Sequence, residues 1–483
     1  MKKYIFLVLL CTISLFASAN DTIRFTWQAE ADYKYLGVRL DATEKDTLTI
    51  SWGDGTTTKK SMGFDEFIGH RYGNVGIYDV IVTTEYLLTY FDCSREQLTS
   101  LDVSGCTKLE KLYCVNNQLI TLNVSECTEL TELSCFNNQL TALNVSGCTK
   151  LEKLYCENNQ LTALNVSGCT KLEKLYCENN QLITLDVSGC TALTDLYYTD
   201  GQLTTLNASG CISLQMLFCQ DNQLTTLNVS GCTALEGLFC KNNQLMSLDI
   251  SASTTSVRLW CSNNQLTTLK MCENMGVIYC ENNRFLLSDL FPISQKIDNP
   301  CNKGLGPQNL FPLTLMIGDE IDYSDQHIFD GIYTFFEVSK NDSLASESDY
   351  SITEGKIIFH RSGNYIVEMS NHAIYSNGDD RVIVEIEVLP DSNNRIVEPT
   401  KENFTVYPNP TKGVLTISLP NPSEGGAYTA DNIEIYSVTG QMVGAYPCGR
   451  PETTIDVSHL PNGIYFIKIT TDKGMSVKKV VKL

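Results

Sequence analysis

Cysteine is the residue here best equipped for chemistry. The chain has 20 cysteines and 5 histidines in 483 residues. Seventeen of the cysteines fall between residues 87 and 290 and recur in pairs, as Cys148 and Cys156, then Cys169 and Cys177. A thiolate can be a nucleophile, a metal ligand or one half of a disulfide. The histidines that would activate it or share a metal with it are His70, His327, His360, His372 and His459, and all lie outside this stretch. There is no C-x-x-C pair, no G-x-S-x-G and no H-E-x-x-H. These residues imply no metal, no cofactor and no catalysis. Glu157 and Glu178 read as solvated face residues rather than an acid–base pair.

What positions the cysteines is a repeat. Leu140–Gln160, "LTALNVSGCTKLEKLYCENNQ", is followed by the same 21 letters from Leu161 to Gln181. Copies start at Leu98, Leu119, Leu140, Leu161, Leu182, Leu203, Leu224 and Leu245, with a copy two residues shorter from Leu266 and a half copy at Leu87–Gln97. Leu154-Tyr155-Cys156 alternates with period two, which predicts a short strand with Leu and Cys inward and Tyr outward. One repeat cannot bury its own apolar side, so the copies must stack. Nine such strands at about 4.8 Å give a parallel sheet roughly 40 Å long. Asn159 and its equivalents (Asn117, Asn138, Asn180, Asn222, Asn243, Asn264, Asn283) belong at the turn after the strand, where a buried amide satisfies backbone groups.

The same geometry argues against disulfides. Equivalent cysteines on neighbouring strands carry parallel Cβ vectors about 4.8 Å apart, whereas a disulfide needs about 3.8 Å and converging vectors. Within a repeat, Tyr198 replaces one partner while Cys190 stays, and Ser253 replaces the other while Cys261 stays. We expect two ladders of buried free thiols acting as small apolar fillers.

The middle residue of each strand faces the concave surface. These are Tyr113, Ser134, Tyr155, Tyr176, Tyr197, Phe218, Phe239, Trp260 and Tyr279. The eight aromatic ones are the candidate ligand-binding residues, because contiguous aromatic surface marks contact sites. Lys111, Lys153, Lys174, Asp195 and Arg258 flank them on one side, and Glu157, Glu178, Gln220 and Lys241 on the other. The alternative is that rings on adjacent strands only stabilise the sheet.

The pattern L-x-x-L-x-C-x-x-N-x-L resembles the leucine-rich repeat, with Cys in place of one Leu. Trp52-Gly53-Asp54-Gly55, His70-x-Tyr72 and Gly76-x-Tyr78-x-Val80 resemble the polycystic-kidney-disease (PKD) type β-sandwich. Near the end, Tyr407-Pro408-Asn409-Pro410, the Gly440 turn, Gly463-Ile464-Tyr465 and a basic tail resemble the type A C-terminal sorting domain of type IX secretion in Bacteroidetes. That resemblance implies a partner, the type IX machinery, and a cell-surface or extracellular destination.

The expected fold is therefore mostly β: a parallel solenoid of 21-residue leucine-rich repeats flanked by β-sandwiches. Residues 1–19 read as a signal peptide, with Lys2, Lys3, an apolar stretch and Ala17-Ser18-Ala19. Residues 20–86 form the PKD-like domain, 87–290 the solenoid, 291–397 an immunoglobulin-like sandwich with its linker, and 398–483 the sorting domain. A net charge of −21 disfavours nucleic acid. No run after the signal is long enough for a transmembrane helix. The expected function is a non-catalytic, adhesin-like binder of a protein or glycan, with glycan capture for nutrient uptake, or a structural surface spacer, as alternatives.

Overall fold

The structure, a computed structural model, describes residues 21–390 apart from 31–34, 44–46, 62–64 and 85, and then 405–407, 414–418, 430–437, 442–446, 452–461, 463–471 and 474–482. The signal peptide, most of the polar linker, Pro408-Asn409-Pro410 and Gly440 lie outside the described residues. The chain divides into two units, Met1–Pro390 and Asp391–Leu483.

The first unit begins as a two-layer sandwich. Thr22–Ala29 alternates, sending Ile23, Phe25, Trp27 and Ala29 inward, the period-two signature of a half-buried strand. It sits in a sheet ordered Thr57–Ser61, Thr47–Ser51, Gly76–Thr84, Thr22–Ala29, Leu98–Asp102. The facing layer holds Glu66–Arg71, Tyr35–Ala42 and Leu88–Asp92. Both layers run on into the solenoid. Leu88–Asp92 pairs antiparallel with Tyr35–Ala42 and parallel with Lys111–Tyr113. Leu98–Asp102 pairs antiparallel with Thr22–Ala29, and its Asp102 bridges in parallel to Asn123. The sandwich thus covers the first turn of the stack, a sheet edge that would otherwise be open.

In the solenoid, three-residue strands stack in unbroken register: Leu133 beside Leu154, then Leu175, Leu196, Leu217 and Leu238. A second, shorter set on the opposite side includes Ala142–Asn144 beside Ala163–Asn165. Between them run columns of fully buried Leu and Cys. At the far end, helix Leu287–Lys296 buries Leu287, Leu290 and Ile293. Lys303 is fully buried. Its Nζ donates to the carbonyls of Ser294 (2.5 Å) and Ile297 (2.7 Å) at the helix C-terminus, where unpaired acceptors collect. Lys303–Gly304 adds one more parallel strand beside Met275–Tyr279. A further sandwich follows, with Phe335–Lys340, Gly363–Ser370 and Val382–Leu389 in one sheet and Glu320–Asp322, Lys356–Phe359 and Tyr350–Thr353 in the other.

The second unit has a three-stranded and a four-stranded sheet around Leu415, Ile417, Ile433, Ile435, Ile455, Ile467 and Ile469. All three sandwiches share one device, a Gly-x-Tyr at a strand start. The tyrosine hydroxyl donates to the carbonyl four residues back: Tyr78 to Asn74 (3.1 Å), Tyr365 to Arg361 (2.9 Å) and Tyr465 to Pro461 (2.8 Å). Such a corner pins the incoming chain to the strand.

Candidate binding face

Each repeat places its outward ring through three contacts. The leucine before the ring is buried, as Leu154 is. The cysteine after it turns into the core, where burial pushes the Cys156 and Cys177 thiols well above their usual range. Their S–H groups donate to the carbonyls of Tyr176 and Tyr197 in the next repeat (3.5 Å each). The second ladder does the same in the other direction, Cys169 donating to Val145 at 3.2 Å. All 18 cysteines among the described residues are free, and only Cys301 is exposed. A thiol held protonated by burial is a poor nucleophile.

The asparagine after the strand then fixes the turn. Asn159 Oδ1 accepts from Leu140 N (2.9 Å), while Nδ2 donates to the carbonyls of Cys135 (3.0 Å) and Cys156 (3.1 Å). The residue before it, Asn158, has φ +53°, a conformation asparagine tolerates better than most.

The irregular repeat from Leu182 obeys the same rule by other means. Tyr198 and Gly201 stand where Cys and Asn recur. The buried Tyr198 hydroxyl accepts from Leu182 N (3.2 Å), the bond that Asn Oδ1 makes elsewhere, and reaches Asn180 O (3.2 Å). A Cβ at Gly201 would stand 2.4 Å from Tyr198 Cε1. The large ring and the missing side chain are thus a matched pair.

All eight predicted rings are half-buried, and seven of them, from Tyr155 to Tyr279, come together in one stack. Tyr155 and Tyr176 stack at 5.2 Å between centroids. From Tyr176 through Tyr197, Phe218 and Phe239 to Trp260 the spacing is 4.4–4.5 Å with planes within 11°, and Trp260 meets Tyr279 at 5.9 Å. Ser134, itself buried, interrupts the stack. Tyr113 packs instead on Tyr90 at 5.6 Å and 55°. Tyr90, from the half copy, was not anticipated: it sits in register with Lys111, in the flanking column. The stripe is therefore not an open platform. From Tyr176 to Trp260 its ring faces are turned on one another, and the Tyr279 hydroxyl donates to the Cys301 carbonyl at 2.9 Å.

The flank after the rings also differs from expectation. Glu157 and Glu178 are half-buried rather than solvated. Each has one carboxylate oxygen buried without a hydrogen-bond partner, as does the Gln220 amide oxygen. Burial pushes Glu157 up to about 7, opposed by a hydrogen bond from its own backbone N–H and aided less by the Glu178 charge, and burial raises Glu178 against the same kind of bond. On the other flank Lys174 lies 3.9 Å from Asp195. Among the described residues no three His, Cys, Asp or Glu side chains converge as a metal site, and no helix is long and apolar enough to cross a membrane.

Among solved structures, the chain is similar to the functional domain of InlJ from Listeria monocytogenes, which includes a cysteine ladder. The identity is 19%, over 64% of this chain and 93% of that one, with a TM-score of 0.25. It is also similar to YopM from Yersinia enterocolitica, at 23% identity over 45% of each chain and a TM-score of 0.34. No curated protein matches it. Residues 128–169 match the leucine-rich-repeat family, and residues 405–483 match the secretion system C-terminal sorting domain. This is a leucine-rich-repeat protein with the sorting domain that marks proteins exported by type IX secretion, either attached to the cell surface or released.

Proposed function

We propose that the protein is a non-catalytic, adhesin-like binding protein and that its concave face takes an extracellular ligand. The contact residues are Tyr113, Tyr155, Tyr176, Tyr197, Phe218, Phe239, Trp260 and Tyr279. The observation behind this is that each of the eight rings stays partly open to solvent, in a chain destined for the exterior. Half-exposed aromatic surface of this extent is characteristic of contact sites. A protein ligand is favoured over a glycan because sugars use ring faces, and here the faces from Tyr176 to Trp260 are occupied by neighbouring rings. The second reading is a structural spacer, favoured by the same stacking.

We also infer four modules: 20–86 as a PKD-type sandwich, 87–290 as the repeat domain, 291–397 as an immunoglobulin-like sandwich with linker, and 398–483 as the sorting domain. Support for the first is the contact set within its motif. His70 Nε2 lies 2.7 Å from Asp54 Oδ2, Tyr72 donates to Trp52 O at 2.9 Å, and Trp52 stacks on His70 at 4.9 Å.

The test is a screen of the exported chain against extracellular-matrix proteins and a glycan array. A Tyr155→Ala/Tyr176→Ala/Trp260→Ala variant of confirmed fold runs beside it. A protein hit lost in the variant is the expected result, and a glycan hit lost in it would reassign the ligand class. A hit retained would move the site off this face. No hit, with only stability lost in the variant, would favour the spacer.

A further inference from the structure

One pattern in the first sandwich is written twice. Tyr35-Leu36-Gly37-Val38-Arg39 and Phe67-Ile68-Gly69-His70-Arg71 both read aromatic, apolar, glycine, any residue, arginine. The two strands pair antiparallel, which sets Tyr35 opposite Arg71, Gly37 opposite Gly69 and Arg39 opposite Phe67. Leu36, Val38 and Ile68 are buried in the core, so by alternation the six pattern residues share the outer side of the sheet. The result is a patch with approximate two-fold symmetry, in which each strand brings a ring and a guanidinium to a central glycine pair.

Both rings lie down on the glycines. A Cβ at Gly37 would stand 2.5 Å from Phe67 Cζ and 2.7 Å from its Cε2, and one at Gly69 would meet the Tyr35 hydroxyl. Each ring therefore reaches diagonally across the strand pair and fills the space a side chain would take, the cover that aromatic residues give to strand glycines. A ring standing upright would carry its far edge clear of the backbone. Phe67 keeps 50% of its surface exposed and Tyr35 40%, and with backbone beneath them the open part is the outward side. The solenoid rings differ, since from Tyr176 to Trp260 each face is taken by the next ring.

The charges beside the rings are mixed. Arg39 lies 5.9 Å from the Phe67 centroid and 3.6 Å from Asp65, with Asp92 as its in-register partner on the other side. Arg71 is exposed and makes no ion pair among the described residues. A cationic ligand would meet two guanidiniums, and a polyanion would meet Asp65 and Asp92. Hydroxyl groups, which both donate and accept, suit a rim of this kind.

We propose that this patch is a glycan-binding site, in which the C–H face of a neutral pyranose with equatorial hydroxyls lies on Phe67 and Tyr35 while Arg39, Arg71 and Asp65 bond the hydroxyls at its rim. The axial C–H groups of such a sugar are weakly positive and meet the negative faces of the rings. The glycine floor already holds each ring in place, so little side-chain freedom is lost on binding. The site is separate from the concave ring stack and does not rest on it.

The probes are cellohexaose and chitohexaose, titrated calorimetrically into the full exported chain. The first variant is Tyr35→Leu/Phe67→Leu, which keeps the glycines under apolar cover but removes the ring faces. Its unfolding midpoint is checked against the wild type. The second is Arg71→Gln, a change at an exposed side chain that leaves the fold intact. The expected result is binding of at least one hexaose, about tenfold weaker in the first variant and about threefold weaker in the second. The Tyr155→Ala/Tyr176→Ala/Trp260→Ala variant should bind it as the wild type does. Failure of both hexaoses to bind, or equal binding by the wild type and Tyr35→Leu/Phe67→Leu, would overturn the site. So would binding lost with the solenoid rings instead, which would move the glycan to the concave face. A matrix protein lost with Tyr35→Leu/Phe67→Leu, with neither hexaose bound, would give the patch to a protein partner and overturn the glycan.

Discussion

Tyr198 shows how far a buried position can change when its partner changes with it. Its hydroxyl replaces an amide oxygen, and Gly201 supplies the space. Tyr198→Phe should cost about 1–3 kcal/mol, because Leu182 N is left buried without an acceptor. Gly201→Asn alone should cost at least as much through the clash. The double change Tyr198→Cys/Gly201→Asn, which writes the regular repeat, should recover most of the loss. Urea unfolding of the wild type, Tyr198→Cys, Gly201→Asn and the double variant measures this coupling, and additive losses would contradict it. Glu157 makes a second prediction. Its folded-state pKa, about 7, lies above its ordinary value of 4.5. Between those values the folded chain holds a proton that the unfolded chain has released, so stability falls as pH rises. Glu157→Gln should therefore match the wild type near pH 4 and be more stable by about 1–3 kcal/mol at pH 8, the lower figure allowing for the partial exposure of the carboxyl. A difference that is constant with pH, or reversed, would mean that the carboxyl is not withdrawn from water.

At the scale of the element, a repeat is a strand and two turns held by side chains that donate into the neighbouring repeat. The cysteines do this through S–H, and the asparagines through their amides. Disulfide formation would remove the thiol donors and distort the register. In the denatured, unreduced protein the described cysteines should all titrate as thiols. In the native protein only Cys301 among them should react within minutes, because the others are buried and protonated. A Cys301→Ser chain that still consumed thiol reagent rapidly from the repeats would show that the ladders open. The element scale also explains why ring follows ring. In-register parallel strands hold neighbouring rings within stacking distance, so the stack exists before any ligand does.

For the whole first unit, the decisive feature is that its sandwich and its solenoid are one continuous β structure. Leu88–Asp92 and Leu98–Asp102 each pair backward with a sandwich strand, and each continues forward into the solenoid, one through a ladder and the other through the Asp102–Asn123 bridge. Removing residues 21–86 should therefore uncover two sheet edges and the apolar first turn around Phe91, Leu98 and Leu101. The shortened chain is expected to aggregate or elute as higher oligomers on size exclusion. A stable, monomeric, cooperatively unfolding product would show that the sandwich is a dispensable appendage. At the other end, helix Leu287–Lys296 and strand Lys303–Gly304 close the stack.

The local rules were written in the sequence. The 21-residue phase, the Leu-x-Cys alternation and the repeated Asn determine the strand, the inward thiols and the turn, because each depends on residues a few positions apart. The ring column was legible for the same reason. The sequence did not reveal which way the rings face, that Glu157 and Glu178 lose water, or that Tyr198 and Gly201 compensate one another. Nor did it show that the boundary near residue 86 is crossed by a sheet. Each of these depends on what a neighbouring turn, distant in sequence, places against the residue. Periodicity specifies which side of a strand a residue occupies. Stacking alone decides which atoms remain open to solvent there, and so the tertiary structure decided the chemistry of the face.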